Sequence, residues 1–302
     1  MELEYEHFPV SDILEHEILM HRDVHFGGRF EEMLAYYSQE GKGVQEDFTL
    51  TKIEELFLKE REIGENLSEI LLSETEKEKV LKALDTYEKL RDIYEHSGGK
   101  PTLPSLIADL ILSEEESPEE EIEALVEHGE VAIPHLENLL TTDEFYDPLF
   151  PGYSYAPLHA AECLGRIGSE KSVRPLFEKI GTGEFTNEES VIAALKALGK
   201  PAENFLLSVL GHTPISIDNE RAAIALLEFP QNPDIATHCL EILEKENLNQ
   251  YPVVALYLIL GCEALEDPKK RERFLALKKS PNIPSQTHID IDMIARSWKS
   301  KA

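Results

Sequence analysis

Leu158-His-Ala-Ala-Glu-Cys-Leu-Gly-Arg-Ile-Gly168, followed by Ser172-Val-Arg-Pro-Leu-Phe177, is the stretch on which the fold turns. Its apolar residues recur at helical spacing, small alanines line one face, and Gly168 stands where a left-handed residue closes a helix. A short polar turn then leads into a second helix with bulky apolar residues. Small side chains on the first helix let the second approach closely.

The arrangement recurs downstream. Leu195-Lys-Ala-Leu-Gly199, Ala222-Ala-Ile-Ala-Leu-Leu227 and Ala255-Leu-Tyr-Leu-Ile-Leu-Gly261 occupy the same place as Ala161-Glu-Cys-Leu-Gly165. Aligning Leu164, Leu198, Leu227 and Leu260 gives spacings of 34, 29 and 33 residues. Second helices follow at Ala202-Glu-Asn-Phe-Leu-Leu207 and Ile235-Ala-Thr-His-Cys-Leu-Glu-Ile-Leu243. One such pair cannot bury its apolar face alone, so neighbouring pairs must stack.

The punctuation elsewhere is helical as well. Ser117-Pro118-Glu119-Glu120 reads as a cap, a first-turn proline and a capping-box glutamate, and Ser73 with Glu76 as a second box. Asn232-Pro233 and Asp267-Pro268 read as further starts, and glycines 129, 168, 181, 199, 211 and 261 as left-handed helix ends. Alternating β-branched runs and Asn-Gly or Asp-Gly hairpin turns are missing. The expected class is all-α.

With these residues in view, the chain resembles the HEAT-like repeat family of the phycobilisome-lyase type over residues 118 to 280. A weaker copy lies at Glu121-Ile-Glu-Ala-Leu-Val-Glu-His-Gly129 and Ala132-Ile-Pro-His-Leu136. The resemblance implies a right-handed α-α superhelix over 118–302, closed by a last helix from Ser285 to Lys299 that Trp298 packs in place. It says little of function, because such repeats serve scaffolds, adaptors and a few enzymes alike. Residues 1–117 lack the pattern. Helices over Phe48 to Leu72 and Thr75 to His96 are expected there, as a hairpin or bundle that caps the solenoid or as a coiled-coil arm.

Charge follows the same division. The 302 residues carry 59 acidic and 29 basic side chains, a net charge of −30. Residues 1–150 hold 39 acids and 12 bases (net −27), residues 151–302 hold 20 and 17 (net −3). A chain this acidic repels phosphates, so nucleic acid is not an expected partner. The longest apolar run, Val253 to Cys262, is far short of the ~20 residues of a membrane span, so no membrane insertion is expected. Three scattered cysteines make no disulfide framework and lack zinc spacing, and the acidic start Met1-Glu-Leu-Glu-Tyr-Glu is unlike a secretion signal. The expected location is the cytoplasm.

Three groups are candidates for a site. Phe145, Tyr146, Phe150, Tyr153 and Tyr155 crowd a proline-rich loop between two repeat helices; they offer contact area to a partner or plug a junction by folding inward. Glu114, Glu115, Glu116, Glu119, Glu120 and Glu121 form the densest acidic run, which either steers a basic partner or keeps the surface solvated. Glu17, His21 and His25 stand four residues apart, a spacing that can place metal ligands on one helix face or simply mark a polar helix end. Deoxyhypusine hydroxylase, an enzyme of HEAT-like repeats, requires His-Glu pairs on successive repeats. Here His16-Glu17 is the sole such dipeptide and lies outside the repeats, while His159-Ala160 stands where another is needed.

Cys163, Cys239 and Cys262 lie on apolar faces, and no phosphate loop, GxSxG or GxGxxG occurs. The reading is therefore a non-catalytic protein-binding scaffold or adaptor with no cofactor and a basic protein as partner. The competing class is a metal-dependent enzyme built near residues 15–25, and a self-associating structural protein stands third.

Overall fold

Side chains that satisfy the first backbone N–H groups set many of the helix starts. In the computed structural model, which describes residues 12–39, 45–95, 101–113, 115, 117–181, 185–229 and 232–300, Asp12 caps α1 (Ile13–His25), which is followed by α2 (Phe30–Tyr37). Thr49 caps α3 (Leu50–Ile63) and Asn66 caps α4 (Leu67–Leu71). The expected box at Ser73 and Glu76 opens α5 (Glu74–Glu95): Ser73 N–H donates to Glu76 Oε2 at 2.7 Å, and Glu76 N–H to Ser73 Oγ at 3.3 Å. Thr102 and Ser105 box α6 (Leu103–Leu112), which precedes α7 (Glu119–Glu127) and α8 (Ile133–Thr141). The remaining helices are α9 (Ala156–Ile167), α10 (Val173–Glu178), α11 (Phe185–Leu198), α12 (Lys200–Leu210), α13 (Ile217–Leu227), α14 (Pro233–Lys245), α15 (Pro252–Gly261), α16 (Pro268–Ala276) and α17 (His288–Ser300). Among the described residues there is no strand, and no helix is long and apolar enough to cross a membrane. The chain is all-α.

Three expectations about helix ends are corrected. The helix expected over Phe48 to Leu72 breaks in two, because Gly64 adopts φ +75° and donates its N–H to Glu60, after which Asn66 starts afresh. Pro118 is the cap residue of α7 rather than its first turn, and no side chain caps that helix. Glycines 129, 168, 181 and 199 have positive φ as expected, whereas Gly211 and Gly261 remain right-handed.

By its contacts the chain groups into two compact units, residues 1–128 with 134–160 and residues 129–133 with 161–302. The expected division after Ser117 marks where the repeat pattern begins, and the grouping by contacts falls later. In the first unit α1 packs against α3, α4 and α5, α2 against α3, and α6 against both α5 and α7. Ile18, Leu19, Phe30, Met33, Ile53, Leu56 and Leu67 fill its core. At their edge lies Arg22, an arginine with no exposure. Its guanidinium donates to Asp23 (2.7 and 2.8 Å), Glu60 (2.6 Å), Asn66 (2.9 Å) and Ser68 (2.9 Å), and lies 4.5 Å over the Phe30 ring.

In the second unit sequence neighbours pack, and so do helices two apart. α10 meets α11 and α12, α12 meets α13, α14 meets α15 and α16, and both α15 and α16 meet α17; α13 also packs on α15. Contact between helices two apart is what stacking of pairs produces. Small residues permit it: a Cβ added at Gly165 would lie 2.9 Å from the Ala194 Cα, so this crossing of α9 over α11 requires glycine. Trp298 closes the unit as expected, donating Nε1–H to the Glu263 carbonyl at 2.7 Å beneath the Arg271 guanidinium.

Two substitutions test this packing. Arg22→Met keeps length but strands the Glu60 and Asp23 carboxylates; urea unfolding should show a loss of about 3–5 kcal/mol, and a loss below about 1 kcal/mol would contradict the assignment. Gly165→Ala improves helix propensity yet collides with backbone, so it should destabilise by about 1–2 kcal/mol. Equal or greater stability would refute the close crossing.

Candidate functional site

Positions 14, 18, 21 and 25 form one stripe of α1, and that stripe faces the core. His21 and His25 therefore turn inward. His21 is 3% exposed, with Nε2 3.2 Å from the Tyr37 hydroxyl, and its ring centroid lies 4.3 Å from that of His25. His25 Nδ1 is 3.1 Å from the Tyr87 hydroxyl, and the ring stacks on Tyr153 at 4.5 Å and 26°. Burial pushes the His25 pKa down to about 4, opposed by the Pro148 and Leu149 backbone. Burial, and then the neighbouring His25, hold His21 well below the usual histidine range. Both rings are neutral at pH 7.

This arrangement is that of core rings. Glu17 is exposed, and His16, next to it, turns to Glu76 at 2.8 Å instead. Among the described residues no three His, Cys, Asp or Glu side chains stand together in a way that can hold a metal ion. The three thiols are buried and pushed up, Cys163 and Cys239 to about 12, chiefly by loss of solvent. They are inert packing groups at neutral pH.

The aromatic loop is drawn into the first unit. Phe150 (3% exposed) and Tyr153 (6%) belong to its interior, so the expectation that they contact a partner is corrected: they are wall, not surface. Two ion pairs to α5 hold the loop down, Lys79–Asp147 at 2.5 Å and Lys82–Glu144. Gly152, Tyr153 and Ser154 all have positive φ, and a Cβ at Gly152 would meet the Ile111 carbonyl oxygen at 2.4 Å. Phe145, Tyr146 and Tyr155 are half-buried. Tyr146 donates its hydroxyl to the Leu140 carbonyl at 2.8 Å, and burial pushes its pKa up to about 12.

The acidic run lies elsewhere. Glu119, Glu120 and Glu121 occupy the first turn of α7, where the helix dipole favours carboxylates. Glu115, Glu119 and Glu120 are exposed and Glu121 is half-buried, while Glu114 and Glu116 lie outside the described residues. Glu120 and Glu121 border a cavity of about 510 Å³ beside Leu106, Asp109 and Leu112, which contains no residue of the aromatic loop. Burial and the Glu121 charge raise the Asp109 pKa there.

A different set of acids meets the loop. A cleft of about 480 Å³ brings Glu17, Glu46, Asp47, Asp143 and Asp147 around a floor of Met20, His21, Phe48, Tyr146 and Leu149. Among the described residues Lys79 is its sole lining cation, and it is engaged with Asp147. The other four carboxylates form no ion pair among the described residues. Of these residues the sequence reading singled out Glu17, His21 and Tyr146. Asp143 and Asp147 lie within two residues of Phe145 in the chain, so the aromatic run carried a signal for them. Glu46 and Asp47 carry no such signal. Chemically the cleft is a cation-seeking trough with an apolar base; it presents no nucleophile beside a base.

The buried rings make stability depend on pH with a definite sign. The native state keeps His25 neutral, so the unfolded chain takes up the proton first. Stability should fall as pH drops from about 6.5 and level off, for this ring, below about 4, a total of about 3 kcal/mol. Urea unfolding of wild type and His25→Gln between pH 7 and pH 5 checks this: the variant should show a shallower fall, and coincident profiles would overturn the assignment. Comparison with protein-family models, with curated proteins and with solved structures finds no match for this chain.

Proposed function

We propose that this protein is a non-catalytic scaffold or adaptor that holds a basic segment of another protein in the acidic cleft of its first unit. One observation carries the reading: four carboxylates without ion-pair partners surround an apolar floor formed by α1 and the aromatic loop. Unpaired negative charge raises the on-rate and selects cationic partners, while the apolar base supplies the desolvated contact that holds them. Phosphate-bearing polymers are repelled by the same charge. Glu119, Glu120 and Glu121 in the first turn of α7, with Glu115 ahead of it, extend the negative field and act in steering, and the loop offers Phe145, Tyr146 and Tyr155 for contact.

In this reading the second unit is a HEAT-like array, a short right-handed superhelix of stacked pairs. It is supported by the repeat spacing of residues 164 to 260 and by contacts between helices two apart. Packed pairs keep a surface in one shape, which lowers the ordering loss on association. Three separate buried thiols suit a reducing cytoplasm.

Affinity capture on the immobilised full chain, wild type against Glu46→Lys/Asp47→Lys, tests the proposal at low and high salt. Basic proteins should be retained by wild type and weakened about tenfold, roughly 1.4 kcal/mol, by the double substitution. High salt should weaken them as well, because the Debye length shrinks from about 8 Å at physiological ionic strength. Retention that ignores both charge reversal and salt would refute the reading.

A further inference from the structure

The second unit has a groove of its own, with a different character. About 610 Å³ in volume, it runs over three helices that begin successive pairs: Ile192 and Ala193 of α11, Ile224 and Leu227 of α13, and Tyr257 of α15. Ile192 is buried at its base, Ile224, Leu227 and Tyr257 are half-buried, and Ala193 is exposed. Its floor is a strip of aliphatic side chains ending in one tyrosine.

Charge on the rim has one dominant sign. Glu188 and Glu189 stand on α11 and Glu228 at the C-terminal cap of α13, against Lys196 alone. None of the three carboxylates has an ion pair or hydrogen bond from its side chain among the described residues. Glu228 is the telling one. It sits at the negative end of the α13 dipole, where a carboxylate opposes helix stability. Among the described residues no contact offsets that placement; a cation brought by a partner would.

We propose that this groove docks a cationic amphipathic helix of a partner protein, its aliphatic residues on the strip from Ile192 to Tyr257 and its lysines or arginines on Glu188, Glu189 and Glu228. Side chains of such a helix at i, i+3, i+4 and i+7 fall on one face and seat as anchors. The inference is independent of the cleft in the first unit, since it uses other residues and a helix rather than any basic segment.

The test uses the full chain with methyl-labelled Ile, Leu and Met, titrated with a synthetic amphipathic helix of leucine and lysine and with its leucine and glutamate counterpart. The lysine peptide should shift the methyl signals of Ile192, Ile224 and Leu227, and the glutamate peptide should not. Ala193→Arg, a change at an exposed helical site, should weaken that binding at least about tenfold while leaving the folded spectrum intact. Shifts limited to Met20 and Leu149 would overturn the groove and leave the cleft reading standing. Equal shifts with both peptides, no shift with either, or concentration-dependent shifts in the chain alone would overturn it as well.

Discussion

A guanidinium taken wholly out of water is the constraint on which the first unit rests. Burying Arg22 carries a desolvation penalty of several kcal/mol, which only a complete set of acceptors offsets. Asp23, Glu60, Asn66 and Ser68 supply that set, and the Phe30 ring covers the face. Two of those groups work twice. Asn66 also caps α4, and Glu60 Oε2 also accepts the Leu67 N–H at 2.9 Å. The corner between α3 and α4 is thus built on the same charge that anchors α1. Because α1 carries Glu17, His21 and His25, the position of the cleft and of the buried rings follows from this anchor.

Local signals were legible in the sequence, and distant ones were not. The box at Ser73 and Glu76, the caps at Asn232 and Asp267, and the burial of the cysteines depend on neighbours within a few residues or on an apolar face, and all are found. The break at Gly64 was written locally too, in Gly64 and Asn66, but the surrounding apolar spacing masked it. Arg22 could not be read: three of its partners, Glu60, Asn66 and Ser68, lie 38 to 46 residues away, and nothing in a helix-spaced stretch marks an arginine as buried. The cleft draws on residues 17, 46, 47, 143 and 147, which only the fold brings together. Aromatic composition likewise says nothing of direction, and Phe150 and Tyr153 turned inward because two lysines of α5 hold the loop against the core.

The uneven charge also acquires a physical meaning. Part of the acidity of the first half is spent within the fold, in pairs such as Lys82–Glu144, Lys52–Asp12 and Arg22–Glu60. Four others, Glu17, Glu46, Asp47 and Asp143, line the cleft without an ion pair among the described residues. In the second unit Glu188, Glu189 and Glu228 stand likewise beside an apolar strip. Two surfaces of different shape, each combining an apolar base with an acidic rim, suit a protein that holds others.

The most direct measurement of the central claim is on the Arg22 guanidinium itself, by nitrogen-edited NMR of the side-chain Nε and Nη groups at neutral pH. A guanidinium locked by four partners and closed to solvent should give a resolved Nε–H and separate, slowly exchanging Nη–H signals, with cross-peaks to the Phe30 ring. An Arg22 whose Nη protons average to one line and exchange with water as fast as those of an exposed arginine would contradict the account.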